Sequence, residues 1–114
     1  MIKPKGKVFL LGSEAIGRGD DNIGYQILVT MLESLENRED GPFAFIFWNT
    51  AVRLLADDSP LIPHFKRLEE KGINILLGKS CVGECELTGR IAIGRQATMD
   101  EILDLILNNE VVNL

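Results

Sequence analysis

Short apolar runs alternate along this chain with longer stretches in which apolar residues recur every three or four positions, the pattern of βαβ units around a mostly parallel sheet. Lys7 to Leu11 predicts a first strand, closed by Gly12-Ser13 and the Gly- and Asp-rich loop Gly17-Arg18-Gly19-Asp20-Asp21. Beyond the loop, Ile23, Ile27, Leu28, Met31, Leu32 and Leu35 place one apolar stripe along a helix, with Asp21 or Asn22 as its cap. Phe43 to Trp48 follows Gly41-Pro42 without a polar break, which predicts a central strand buried on both faces and makes Trp48 a core residue. Asn49-Thr50 ends that strand, and Ala51 to Leu55 is long enough for a helical turn.

Ser59-Pro60 carries the cap and first-turn chemistry of a second helix, with Leu61, Ile62, Phe65 and Leu68 as its apolar side and Gly72 as its left-handed stop. Ile73 to Leu77 predicts a third strand, and the polar turn Lys79-Ser80-Cys81-Val82-Gly83 follows directly. Ile91-Ala92-Ile93 predicts a short fourth strand. Thr98-Met99-Asp100-Glu101 is a capping box ahead of Ile102, Leu103, Ile106 and Leu107 on one helix face, and Val111-Val112 adds an edge strand.

Length and composition fit one soluble domain over residues 1–114: 46% hydrophobic and 25% charged residues provide a core and argue against disorder. The net charge of -5 argues against binding to nucleic acid or an anionic membrane, and Lys3, Lys5 and Lys7 read as a solvated tail. No stretch approaches the roughly 20 apolar residues of a membrane-spanning helix. No signal-peptide pattern opens the chain, and two cysteines make no disulfide framework. The expected location is the cytoplasm.

Cys81 is the most informative residue. A turn at the carboxyl end of a buried strand is where open α/β sheets place ligands and reactive groups, and backbone N–H groups beside Lys79 form the kind of setting that favours a thiolate. The competing reading packs Cys81 inward as a small hydrophobe. If the first three strands are parallel, Gly12, Ser13, Asn49, Thr50, Lys79 and Ser80 reach the same sheet edge as Cys81 and offer donors to a small anion or a polar sulfur group. Cys85, four residues on, is a possible second thiol.

Other chemistries find less support. The first loop lacks the Gly-Lys-Ser/Thr ending and the Gly-x-Gly-x-x-Gly spacing of nucleotide sites, and Arg18-Gly19-Asp20 reads as a turn. Structural zinc needs about four ligands, against two cysteines and the single histidine, His64, which reads as a surface helix residue. Asp20, Asp21, Asp57 and Asp58 read as partners of helix dipoles, so neither a metal nor another cofactor is expected.

In sequence order, Gly17-Arg18-Gly19-Asp20-Asp21, Phe47-Trp48-Asn49-Thr50-Ala51-Val52, Leu68-Glu69-Glu70-Lys71-Gly72, Ser80-Cys81 and Ala92-Ile93-Gly94 together resemble the DsrE/DsrF-like family, in particular the carboxyl-terminal domains of YedF-type proteins associated with selenium metabolism. The resemblance implies an α/β fold, a three-layer α/β/α sandwich with a mostly parallel five-stranded sheet, and a homo- or hetero-oligomer. It also implies a sulfurtransferase-like relay in which the cysteine at the position of Cys81 carries a persulfide, with a sulfur donor or acceptor protein as partner. Two departures matter. YedF-like domains often have a further cysteine where Gly78 stands, and their full-length forms carry an amino-terminal TusA-like domain that these residues do not include, so a separate TusA-like carrier is the expected partner. The alternatives are a small-ligand-binding or oligomeric scaffold module of the same fold and a Cys81/Cys85 thiol switch.

Overall fold

A computed structural model describes residues 6–114; Lys3 and Lys5 lie outside them. Five strands, β1 (Lys7–Leu11), β2 (Ala44–Phe47), β3 (Asn74–Gly78), β4 (Arg95–Ala97) and β5 (Glu110–Asn113), form one sheet in the order β4-β3-β2-β1-β5, every pairing parallel. The connections are α1 (Asp21–Glu36), a 3₁₀ helix (Asn49–Leu55) followed by α2 (Ile62–Glu70), α3 (Lys79–Glu84) and α4 (Met99–Asn108). From β1 to β4 the chain steps one way across the sheet, and then α4 carries it back past every strand to β5 on the other edge. Because parallel crossovers are right-handed, reversing the direction of travel reverses the face that the connection covers.

The core divides accordingly. Alternation along the strands sends Leu11, Phe45, Phe47, Ile75 and Leu77 to the face packed by α1, α2, α3 and the 3₁₀ helix. It sends Val8, Leu10, Ala44, Ile46 and Leu76 to the face where Ile102 and Leu105 of α4 lie. β2 is central and buried at all four positions, as its apolar run requires. Phe65 of α2 is fully buried, edge-on to Phe45 and Phe47 with ring centroids 6.3 and 5.2 Å away.

Local signals explain the element boundaries. Asp20, rather than Asp21 or Asn22, caps α1, its carboxylate accepting the Ile23 N–H at 2.9 Å. Gly24 lets the preceding loop fold back on α1: a Cβ there would lie 2.7 Å from the Ile16 carbonyl oxygen. The Ser59 hydroxyl accepts the Leu61 N–H, but α2 begins only at Ile62, with Pro63 in its first turn. Gly72, at φ +94°, ends it as expected. The capping box forms in full: Thr98 accepts the Glu101 N–H, and the Glu101 carboxylate accepts the Thr98 N–H.

Several expectations are corrected. Ile91-Ala92-Ile93 is not a strand; Ile91 makes an isolated antiparallel bridge to Ala56, and the fourth strand is Arg95–Ala97. The apolar stripes of α1 and α4 are wider than the faces they bury, leaving Ile23, Ile27, Leu103 and Leu107 exposed. Lys7 reaches Glu110 on the neighbouring strand, and Asp57 and Asp58 pair with Arg90 instead of a helix end. His64 is mostly enclosed, its ring Nδ1 2.8 Å from Glu36, which also binds Arg67 and so clasps α1 to α2. Among the described residues, no helix is long and apolar enough to cross a membrane.

Candidate functional site

The reversal of chain direction opens a crevice. α3 leaves the carboxyl end of β3 toward one face and α4 leaves β4 toward the other, and in parallel α/β sheets such a divergence is where ligands enter. Cys81 stands there, in the first turn of α3, three residues after β3 ends. The expected polar turn is therefore helical from Lys79 onward, with Gly78 as its extended N-cap.

The thiol is partly exposed and lines two hollows. One, of about 190 Å³, lies between the starts of α3 and α4 and is walled by Trp48, Lys79, Ser80, Thr98, Met99 and Ile102. The other, of about 390 Å³, lies beside the 3₁₀ helix and is lined by Trp48, Asn49, Ser80, Glu84 and Cys85. Both share Cys81, Ser80 and the half-buried Trp48 indole.

Asn49 donates its backbone N–H to Cys81 Sγ at 3.1 Å. It does so from a left-handed conformation, φ +53°, that is unusual for a residue with a side chain and most accessible to Asn among such residues. This conformation turns the chain from β2 into the 3₁₀ helix, so the donor is fixed by the main chain at a strand end. Gly78 gives the sulfur room from below; a Cβ there would come within 3.2 Å of Sγ.

The structure thus gathers Asn49, Lys79 and Ser80 around Cys81, with Cys85 on the wall of the larger hollow. Gly12, Ser13 and Thr50 line neither hollow. A Cβ on Gly12 would lie 3.7 Å from Trp48 Nε1, so the indole stands in the way, and the Ser13 hydroxyl donates to the Ala15 carbonyl at 2.6 Å. The reason is spacing: β1 is two strands from β3, about 10 Å at the usual strand separation, although both end at the same edge.

Sequence reasoning missed Trp48, Glu84, Met99 and Ile102. Trp48 carried a usable signal, since as the last residue of its apolar run it caps the strand instead of filling it. Met99 and Ile102 reach the crevice only because α4 starts beside β3, which depends on strand order. Among the described residues, no three His, Cys, Asp or Glu side chains converge on a point suited to a metal ion. The arrangement offers a nucleophile, a fixed donor to it and adjoining space, the elements of reversible sulfur chemistry at one thiol.

No family model matches the chain, and no curated protein matches it by sequence. Solved structures do match along nearly its whole length. The ychN protein from E. coli superposes with a TM-score of 0.66 at 13% identity, covering 96% of this chain and 99% of its own. BT1422 from Bacteroides thetaiotaomicron, a conserved protein of unknown function, gives 0.66 at 16% identity, with 96% and 95% covered. MTH1491 from Methanobacterium thermoautotrophicum, also of unknown function, gives 0.68 at 12% identity, with 98% and 100% covered. The chain shares their fold, an α/β sandwich on a five-stranded parallel sheet.

Proposed function

We propose that this chain is a sulfur-relay protein of the DsrE/DsrF-like kind, akin to the carboxyl-terminal domains of YedF-type proteins, that carries a persulfide on Cys81. The observation that supports this most is the pairing of a partly exposed Cys81 thiol with the Asn49 N–H at the mouth of the crevice. A donor aimed at sulfur stabilises negative charge on it, and thiolate is the attacking form. In the reaction, the Cys81 thiolate attacks the terminal sulfur of a donor persulfide R–S–SH. The new Cys81–S–SH bond forms, the R–S to sulfur bond breaks, and R–S⁻ departs. The adjoining hollows provide room for the added atom, and Ser80 and Lys79 are among the residues that line them. Attack by an acceptor thiolate reverses the process and hands the sulfur on; selenium is the chemically related alternative cargo.

The partners in this reading are proteins: a persulfide donor and an acceptor such as a separate TusA-like carrier. Self-association is part of the proposal too, supported by the exposed Ile23 and Ile27 of α1 and Leu103 and Leu107 of α4. The test is sulfur loading. Incubated with an isotopically labelled small persulfide and quenched at once in acid, the protein gains one sulfur atom by intact mass and Cys81→Ser gains none. Equal loading of the two would remove the proposal and leave a binding or scaffold module of the same fold.

A further inference from the structure

The chain's second thiol opens into the same space as the first. Cys81 and Cys85 both line the hollow of about 390 Å³ beside Trp48 and Asn49, and both are partly exposed. They stand four residues apart, Cys81 in the first turn of α3 and Cys85 as its C-cap, where the Cys85 N–H donates to the Cys81 carbonyl at 2.9 Å. That spacing puts them on one side of the helix. Cys85 also borders a more polar hollow of about 580 Å³, beside Tyr25, Arg53, Ser59 and Arg90, so it is reachable from a second direction.

In a regular helix, Cβ atoms at this spacing are about 5–6 Å apart, whereas a disulfide brings them to about 3.5–4.5 Å. Joining the two sulfurs therefore requires the last turn of α3 to tighten slightly. The helix is suited to that change. It is six residues long and is capped by Cys85, Gly83 sits in its final turn with open space around its Cβ position, and Glu86 beyond it is left-handed at φ +57°.

We infer that Cys85 is a resolving thiol that discharges the sulfur held on Cys81 as sulfide. This rests on the proposed persulfide. The Cys85 thiolate attacks Cys81 Sγ; the Cys81–Cys85 disulfide bond forms, the bond from Sγ to the outer sulfur breaks, and its electron pair leaves with HS⁻. The two cysteines are oxidised by two electrons in total, and the carried sulfur is reduced by two. Two molecules of a small external thiol then restore the dithiol by exchange and leave as their own disulfide. The site would thus have two outlets, transfer to an acceptor protein and release of sulfide, divided by how fast α3 closes.

The experiment loads the protein with labelled small-molecule persulfide, removes the excess and follows intact mass, released sulfide and disulfide-linked peptides without added thiol. Expected for the unsubstituted protein is a burst of one sulfide per chain as the Cys81–Cys85 disulfide appears. Cys85→Ser should load equally and hold its sulfur at least about tenfold longer. Gly83→Ala, which has room for its methyl group and favours helix, should load normally and release several-fold more slowly. Loading without any disulfide, or sulfide release from Cys85→Ser at the unsubstituted rate, overturns the resolving role and leaves the carrier reading intact. Failure of every form to load overturns both.

Discussion

The two faces of the sheet are covered unequally. One is packed by three α-helices and a 3₁₀ helix around a cluster of phenylalanines, and the other is covered by α4 alone. The first face is closed at its centre, Phe45, Phe47 and Phe65 being fully buried. The second has one helix over it, whose Met99, Leu103 and Leu107 remain exposed. Cys81 stands where the coverings part. Close packing is concentrated on one side and the candidate site lies at the seam, and a single reversal of chain direction produces both.

Mutations can break this comparison. The largest effect should come from Phe65→Ala, which empties the closed face far from the seam. It should lose about 3–5 kcal/mol in urea denaturation while the alkylation rate of Cys81 in the still-folded protein stays unchanged. Altered alkylation would mean that the two regions are coupled. Ile102→Ala acts on the thin face, where the residue is buried and also walls the crevice. A loss of about 2–3 kcal/mol is expected, toward the low end because a thinly covered site can collapse, together with faster alkylation of Cys81. Unchanged alkylation would argue that α4 does not govern access.

The smallest effect tests the clasp between α1 and α2. Burial of the Glu36 carboxyl pushes its pKa up, but hydrogen bonds from Arg67 and His64 outweigh that and hold it below the usual 4.5. A carboxyl with a depressed value in the folded state stabilises the fold at pH above its unfolded value, and that contribution fades as pH falls through the folded value. Glu36→Gln should therefore cost about 1 kcal/mol or less near neutrality, because Arg67 is half exposed and screened. The deficit should shrink as the pH drops below 4.5. A deficit that persists in acid would assign the effect to packing.

Legibility in the sequence followed how local each cause is. β1, the central β2, the Asp-rich start of α1 and the capping box of α4 are set by residues within a few positions of one another, and the sequence reading placed them within a residue or two. β4 escaped because it is a three-residue edge strand with Arg95 and Gln96 exposed, while the apolar Ile91 and Ile93 beside it pack from a loop. At the site, Cys81, Lys79 and Ser80 were legible because strand and helix follow directly in the chain, and Asn49 because it ends the neighbouring strand. Gly12 and Ser13 were overreached: ending at one edge was legible, but lateral distance along that edge depends on strand order, which no local pattern encodes.

The hydrogen that meets the sulfur belongs to the peptide unit of Asn49, not to a side chain. Alanine scanning would leave that hydrogen in place and detect at most a shift in the torsion that aims it. Glycine at position 49 ought to preserve the contact, whereas a β-branched residue, for which positive φ is most adverse, ought to swing it away. What looks like a preference for a turn-forming residue would in fact be the imprint of a thiol thirty-two positions downstream.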